Sequence, residues 1–409
     1  MVARNPLAAL RSSPGGTRLL QALDAVPTPG YLVGGAVRDL LLGRAPRELD
    51  VVVEGDVGVL AQALGGEVTA HDRFGTATVA VDGHGTYDLA RARRETYAAP
   101  GALPEVEPAT LREDLARRDV TVNAIALSPA GDLVAVDGAL DDLEAGVLRV
   151  LHDRSFADDP TRLWRVSRYA ARLRFTLEPH TAALARAAVA AGALETVSGP
   201  RVGNEVRLAL RERDAHGALA AAHALGLLPA GLRHPGPRAA VAEALLPSDG
   251  RPDLLTLATW ATEADPVALR AWLDDLAFPA EDRDAVLAAA SAPGRLTAFP
   301  ERASALAAVL RGEPVEAVAL GAAAAGEPAA ARRWLDDLRA ITLDIDGDDL
   351  IAAGLAPGPD VGRRLRRALE ARLDGAAPDR AAQLACALTD SDPDRPDAVG
   401  PAGPADLGS

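Results

Sequence analysis

The chain contains no lysine: apart from seven histidines, all 43 of its basic side chains are arginine. Coding bias accounts for such a composition, but it has a physical consequence. Any phosphate site must be built from planar guanidinium forks rather than ammonium point charges. Cysteine is almost absent too. Cys386 stands alone, which excludes an internal disulfide and fits a reducing cytoplasm. With four Trp, one Met and 3% aromatics, a Met- or aromatic-lined cofactor box has no support. No apolar run is long enough to span a bilayer, and the start MVARNPLAALRSSPGG lacks a signal-peptide core. A cytoplasmic protein without a membrane partner is expected. Positive charge is also short: the net charge of −15 argues weakly against nucleic acid as a partner. Its distribution argues the other way, because residues 160–215 hold ten Arg against five Asp plus Glu. A basic middle in an acidic chain can still bind RNA.

What is present is 409 residues, 48% of them hydrophobic, with alanine and leucine dominant after about residue 160. That length allows two to four modules, and that composition favours helices. The most informative stretch is Tyr31 to Asp56, YLVGGAVRDLLLGRAPRELDVVVEGD. A short apolar run suits a buried strand. Gly34 and Gly35 precede an apolar repeat of helical spacing through Val37, Leu40 and Leu41, which Gly43 stops. Leu49 to Val53 reads as a second strand. A Gly-Gly pair between strand and helix lets backbone N–H groups approach a phosphate, although such pairs are also common in turns. Glu48 and Asp50 lie two apart on a strand, so both carboxylates point to one face; alone, this pattern is more often a solvated strand end.

The order of these features resembles the head of the class II tRNA nucleotidyltransferases and bacterial poly(A) polymerases, whose signature is GGxVRDxLLGRxxxDxD. The match runs through Gly34, Gly35, Val37, Arg38, Asp39, Leu41, Leu42, Gly43, Arg44 and Asp50. Glu48 departs from it, standing where the first metal-binding Asp is usual. Phe74 to Val81 and Thr86 to Leu89 read as hairpin strands around Asp82-Gly83-His84-Gly85. Phe74 takes the place of His in the family's HGT strand. Asp88, on the second strand, is either a third acidic ligand or a partner for a nearby Arg. Glu95 to Leu115, with three prolines and two turn signals, reads as a mobile loop rather than core. Its wording is most similar to enzymes that add only the final A.

Arg117 to Leu127, RRDVTVNAIAL, matches the family's RRDFTINA except at Val120 and Val122. The arginine pair suits triphosphate oxygens, Asp119 a ribose hydroxyl, and Asn123 the sugar or the loop. On its own, R-R-D is an ordinary helix-end charge cluster. Residues 137–151, DGALDDLEAGVLRVL, resemble the motif linking head to neck, shortened near Gly138. In SFADDPTRLWRVSRYAARLRF, residues 155–175, Asp158 or Asp159 is expected to cap a helix with Pro160 in its first turn. Leu163, Val166, Tyr169, Ala170 and Leu173 would form its buried stripe, with Arg162, Arg165, Arg168 and Arg172 largely elsewhere. The family's form here is EDxxR, whose Asp and Arg select the base; by position these are Asp159 and Arg162. An Arg fork donates to a base edge, and a carboxylate accepts from the exocyclic amine that C and A share. Without the resemblance, the pair would read as a capping Asp with an i,i+3 salt bridge.

Residues 196–210, TVSGPRVGNEVRLAL, resemble a neck motif, and Arg201 is expected to pair with Glu205 at i,i+4. Helical stretches without a catalytic pattern follow. LDIDGDD, residues 343–349, looks like half a calcium loop but lacks the EF-hand spacing and terminal Glu. Residues 348–375 resemble the family's tail, where Gly358 either offers N–H groups to a phosphate or simply turns the chain. The fold implied is α+β: a small mixed-sheet nucleotidyltransferase head (30–145) after an N-terminal helix and linker (1–29). Helical neck (146–225), body (226–340) and tRNA-binding tail (341–389) follow, then a disordered end (390–409).

The activity implied by the resemblance is template-independent addition of CCA, from CTP and ATP, to the tRNA 3′ end with release of pyrophosphate. Two Mg2+ ions would sit on Glu48 and Asp50, with Asp88 a further possible ligand. The nucleotide would be held by Gly34, Gly35, Arg38, Arg118, Asp119, Asn123, Asp159, Arg162, Arg165 and Arg168. An A-adding enzyme acting on tRNA ending in CC, a poly(A) polymerase, and an RNA-binding protein that has lost catalysis through Glu48 are the alternatives.

Overall fold

The computed structural model describes residues 5–71 and 75–389. Phe74 and the 390–409 segment lie outside the described residues. Two helices, α1 (Pro6–Ser12) and α2 (Gly16–Ala25), precede the head, where one was expected. The Tyr87 hydroxyl donates to the Gly15 carbonyl at 2.9 Å and ties them to the sheet.

Then follow β1 (Gly30–Val33), α3 (Gly35–Leu41), β2 (Leu49–Val53), α4 (Val57–Leu64), β3 (Glu67–His71), β4 (Thr76–Val81) and β5 (Gly85–Arg91). After them come β6 (Arg93–Thr96), β7 (Glu105–Pro108), α5 (Leu111–Ala116), β8 (Ile125–Leu127) and β9 (Leu133–Ala135). Seven strands make one mixed sheet in the order β3-β4-β5-β2-β1-β8-β9. Its parallel pair is β2 with β5, in a register that sets Asp50 directly beside Asp88. Val51, Val53, Val79, Leu89 and Ile125 are sealed in its core, as strands rich in β-branched residues require.

The expected mobile loop is ordered over much of its length. β6 and β7 pair as a hairpin, and α5 begins with a capping box between Thr110 and Glu113. Leu111 and Leu115 bury in an apolar cluster with Val33, Val52 and Ala124, which fixes the far end of the segment.

The chain continues with α6 (Ala139–Ala145), β10 (Val147–Leu148), α7 (Ser155–Asp158), α8 (Arg162–Leu173), β11 (Thr176–Leu177), α9 (Pro179–Ala190), α10 (Gly199–Leu210) and α11 (Ala215–Leu225). The chain packs as two compact units, residues 1–236 with 252–290, and residues 237–251 with 291–409. Residues 226–340 contribute to both units. The single helix anticipated over Leu254 to Leu276 is two, Pro252–Trp260 and Pro266–Asp275, because Pro266 cannot continue a helix. In the second unit, Ile345, Leu350, Ala368 and Ala387 form a small core. There the half-calcium loop is a capping box: Asp346 accepts from Asp348 N and Asp349 N. Asp349 in turn pairs with Arg380, and Asp344 with Arg372.

Candidate functional site

The acidic cluster follows from strand register. Asp50 and Asp88 are lateral neighbours on β2 and β5, and Glu48 lies just before β2 on the same face. One carboxylate oxygen from each lies within 4.8 Å of the other two. The extra methylene of Glu48 does not remove it from the cluster. Burial first, then the neighbouring Glu48, pushes the Asp50 carboxyl up to about 6, against the opposing pull of Arg118. Three hard oxygen donors crowded together suit a divalent cation such as Mg2+. Thr78 Oγ1 donates to Asp88 Oδ1 at 2.7 Å and orients it.

A cavity of about 700 Å³ opens beside Glu48 and Asp50. Nine arginines and seven carboxylates line it, so the site is locally cationic in a chain of net charge −15. The geometry brings Gly35, Arg38, Glu48, Asp50, Arg118, Asp119, Asn123, Asp159, Arg162, Arg165 and Arg168 to this one cavity. Asp88 lies instead in an adjoining cavity of about 320 Å³, which it shares with Asp50, Arg117 and Arg118.

Gly34 is not part of the lining. Its N–H donates to Ile125 O at 2.9 Å, so that amide is used by the backbone and not offered to a phosphate. Its φ of +68° and the approach of Arg118 Nη1 to within 2.5 Å of where a Cβ would stand make glycine obligatory here. Gly35, at the start of α3, is the glycine that faces the cavity.

The R-R-D segment divides its labour. Asp114, fully buried, accepts Arg117 at 2.7 Å and Arg118 at 3.1 Å. Arg117 is also bound to Glu95 at 2.8 Å, so it is neutralised twice, whereas Arg118 shares one carboxylate. Asp119 is saturated. Oδ1 accepts Val120 N at 2.9 Å and Asn123 Nδ2 at 3.0 Å; Oδ2 accepts Arg165 Nε at 2.8 Å and Tyr169 Oη at 3.0 Å. Burial alone would raise its carboxyl, but Arg165 and Asn123 hold it well below the usual carboxylate range. A ribose hydroxyl would have to displace one of these donors. Asn123 links Asp119 to Arg38, which also binds Asp39 at 2.9 Å.

Helix α8 departs from the amphipathic reading. Arg162 and Arg168 are buried, at 5% and 7% exposed, rather than on the surface. For Arg168 the reason is α10 and the turn that follows it: Glu205 on α10 and Glu212, just past its C-terminal end, both form ion pairs with Arg168, and Glu212 also binds Arg172. Arg162 donates to Ser155 Oγ at 2.8 Å and to the Arg117 carbonyl at 2.7 Å. Neither Asp158 nor Asp159 caps α8 itself. The helical run is interrupted at Asp159, whose carboxylate accepts Thr161 N and Oγ1, and Thr161 takes the cap position.

Tyr97, Tyr169, Arg47, Arg172, Arg211 and Glu212 line the cavity without having been singled out as ligands. Arg172 and Tyr169 carry a recoverable signal, lying seven and four residues after Arg165. For Glu212 and Tyr97 no local pattern exists, since long-range packing brings them in.

Residues 30–149 match the model of the poly A polymerase head domain. A CC-adding tRNA nucleotidyltransferase of Deinococcus radiodurans is 38% identical over 364 residues, covering 84% of this chain and 85% of that one. An A-adding tRNA nucleotidyltransferase of Geobacter sulfurreducens is 43% identical over 214 residues. That match covers 50% of this chain but only 24% of the Geobacter protein, so the chain spans about a quarter of that relative. Among solved structures, the Thermotoga maritima CCA-adding enzyme complexed with tRNA superposes with a TM-score of 0.70 at 27% identity, covering 95% of this chain and 99% of that one. On this combined likeness of sequence and fold, the chain belongs to the tRNA nucleotidyltransferase family.

Proposed function

We propose that this protein adds nucleotides from CTP and ATP, without a nucleic-acid template, to the 3′ end of tRNA and releases pyrophosphate. The observation that carries the reading is the convergence of Glu48, Asp50 and Asp88 at the edge of an arginine-lined cavity with Asp159 and Arg162 in its wall.

In this reading Glu48 and Asp50 hold two magnesium ions and Asp88 supports them. When bound, the metal supplies charge neutralisation and lowers the pKa of the terminal ribose 3′-hydroxyl. The chain's own residues do the rest. Arg38 and Arg118 bind the triphosphate, aided by the Gly35 turn, while Arg165 and Arg168 extend the cationic wall. Asp119 and Asn123 fix Arg165 and Arg38 in place. Arg162 donates to the base edge and Asp159 accepts from its exocyclic amine, which selects C and A over U and G. Positioning and electrostatics, rather than covalent chemistry, supply the acceleration. The arginine-rich helix Pro359–Leu373 of the second unit would contact tRNA phosphates.

A second reading has specific support. A relative matched over 84% of the chain is CC-adding, and relatives matched over 50% and 44% of it are A-adding. A split-function enzyme that adds only part of the CCA end is therefore the alternative. Incubation with magnesium, each labelled nucleotide and tRNAs ending before, within or after CC decides. Addition of C and then A is the expected result. Addition of C alone or A alone supports the split, long A tracts a poly(A) polymerase, and no addition a protein without catalysis.

A further inference from the structure

Arg201 does not make the bond that its spacing suggests. Glu205, four residues on, is engaged by Arg168 and Arg165, and Arg201 turns elsewhere from the first turn of α10. One terminal nitrogen donates to the Gly101 carbonyl at 2.8 Å; the other reaches Asp159 Oδ1 at 3.3 Å. Gly101 lies in the connection between β6 and β7, a hundred residues away in sequence. Its own N–H donates to the Ala157 carbonyl at 3.2 Å, two residues before Asp159. At φ +71°, with Thr196 standing where a Cβ would go, position 101 admits glycine alone.

These contacts converge on one oxygen. Asp159 Oδ1 accepts Thr161 N at 3.2 Å, Thr161 Oγ1 at 2.7 Å and Arg201 at 3.3 Å. Oδ2 accepts no hydrogen bond from the described residues, and Asp159 faces the cavity while Arg201 does not line it. A carboxylate tied at one oxygen presents the other in a fixed direction, as an acceptor for an amine and a repellent for a carbonyl. We propose that Arg201 is a positioning residue for base choice. By fastening Asp159 Oδ1 to the Gly101 turn, it reserves Oδ2 for the exocyclic amine of C or A. This rests on the nucleotidyl-transfer reading above. Lysine replaces it only in part, because a point charge does not span the carbonyl and the carboxylate as a guanidinium fork does.

The test compares kcat/KM for CTP, ATP, UTP and GTP with Mg2+ and tRNA in the full chain, its Arg201→Ala and Arg201→Lys variants, and Gly101→Ala as an independent lesion at the other end of the strap. Preference for CTP and ATP over UTP and GTP is expected to fall about tenfold in Arg201→Ala, the discrimination of one good base contact. The loss is expected mainly in the KM of the favoured nucleotides. Arg201→Lys falls between, and Gly101→Ala shifts in the same direction. An equal loss for all four nucleotides in both alanine variants would mean a purely structural role and overturn the proposal. Unchanged selectivity in Arg201→Ala overturns it as well, with nucleotidyl transfer intact. If the unmodified chain adds no nucleotide to any tRNA, it is the underlying activity that fails.

Discussion

At the scale of single residues, Asp50 shows how this site trades stability for function. Its carboxyl is pushed up to about 6 by burial and by Glu48. The metal-free folded protein thus binds a proton between about pH 4 and pH 6 that the unfolded chain has already released. Stability from this group is fully present below the ordinary carboxylate value and is lost as pH rises through about 6. Asp50→Asn should stabilise the metal-free protein by roughly 2 kcal/mol at pH 8 and hardly at pH 4. Denaturant unfolding at the two pH values checks this, and equal effects at both would contradict it. Asp119 has the opposite sign: its depressed carboxyl contributes stability at neutral pH that disappears only in strong acid. Tyr97, raised to about 12 chiefly by burial, stays a neutral donor to Glu95 throughout the working range. Gly34→Ala should lower activity sharply and cost about 1 kcal/mol or more, because φ +68° is strained for any side chain and the end of Arg118 must shift away. A thermal melt near that of the unmodified chain would refute this.

Between elements, α8 and α10 show what the sequence could and could not convey. The GG-helix-ExD order and the R-R-D segment were legible because each is a contiguous stretch of sequence, although Asp119 takes its partners Arg165 and Tyr169 from far along the chain. The mixed sheet was implied by the family resemblance, since strand alternation alone does not give strand direction. The side-chain environment of α8 was not legible. Periodicity assigned its arginines to solvent, yet Arg162 and Arg168 are buried because Glu205, Glu212, Ser155 and the Arg117 carbonyl meet them from elsewhere. Pattern reading sees apolar stripes; it cannot see a buried charge whose partner lies forty residues away. The Arg201–Glu205 pair failed for the same reason, since tertiary partners outbid a helix-local bond worth only a few tenths of a kcal/mol. Glu212→Gln should therefore destabilise the protein by about 3 kcal/mol, as it leaves Arg168 and Arg172 under-compensated. Nucleotide KM should rise with it. A loss below ~0.5 kcal/mol in denaturant unfolding would show the ladder to be energetically idle.

For the whole molecule, the proposed function raises the question of how so acidic a chain would hold a polyanion. The cavity answers it locally, concentrating nine guanidinium groups in one wall while the surplus carboxylates lie elsewhere. A second basic element, the helix Pro359–Leu373, presents exposed Arg363 and Arg366. tRNA binding is expected to weaken steeply with salt, and Arg366→Glu to lower the slope of log affinity against log salt by about 1 with little change in turnover at saturating tRNA. Electrophoretic mobility shifts at several ionic strengths measure that slope; an unchanged one removes this helix from the interface. The most direct test of the central claim is labelled-nucleotide incorporation with magnesium and a tRNA lacking its CCA end, run on the unmodified chain and on Asp50→Ala. The account predicts that the unmodified chain extends the tRNA and releases pyrophosphate, while Asp50→Ala binds the same tRNA and adds nothing. Extension by Asp50→Ala at the unmodified rate would contradict it.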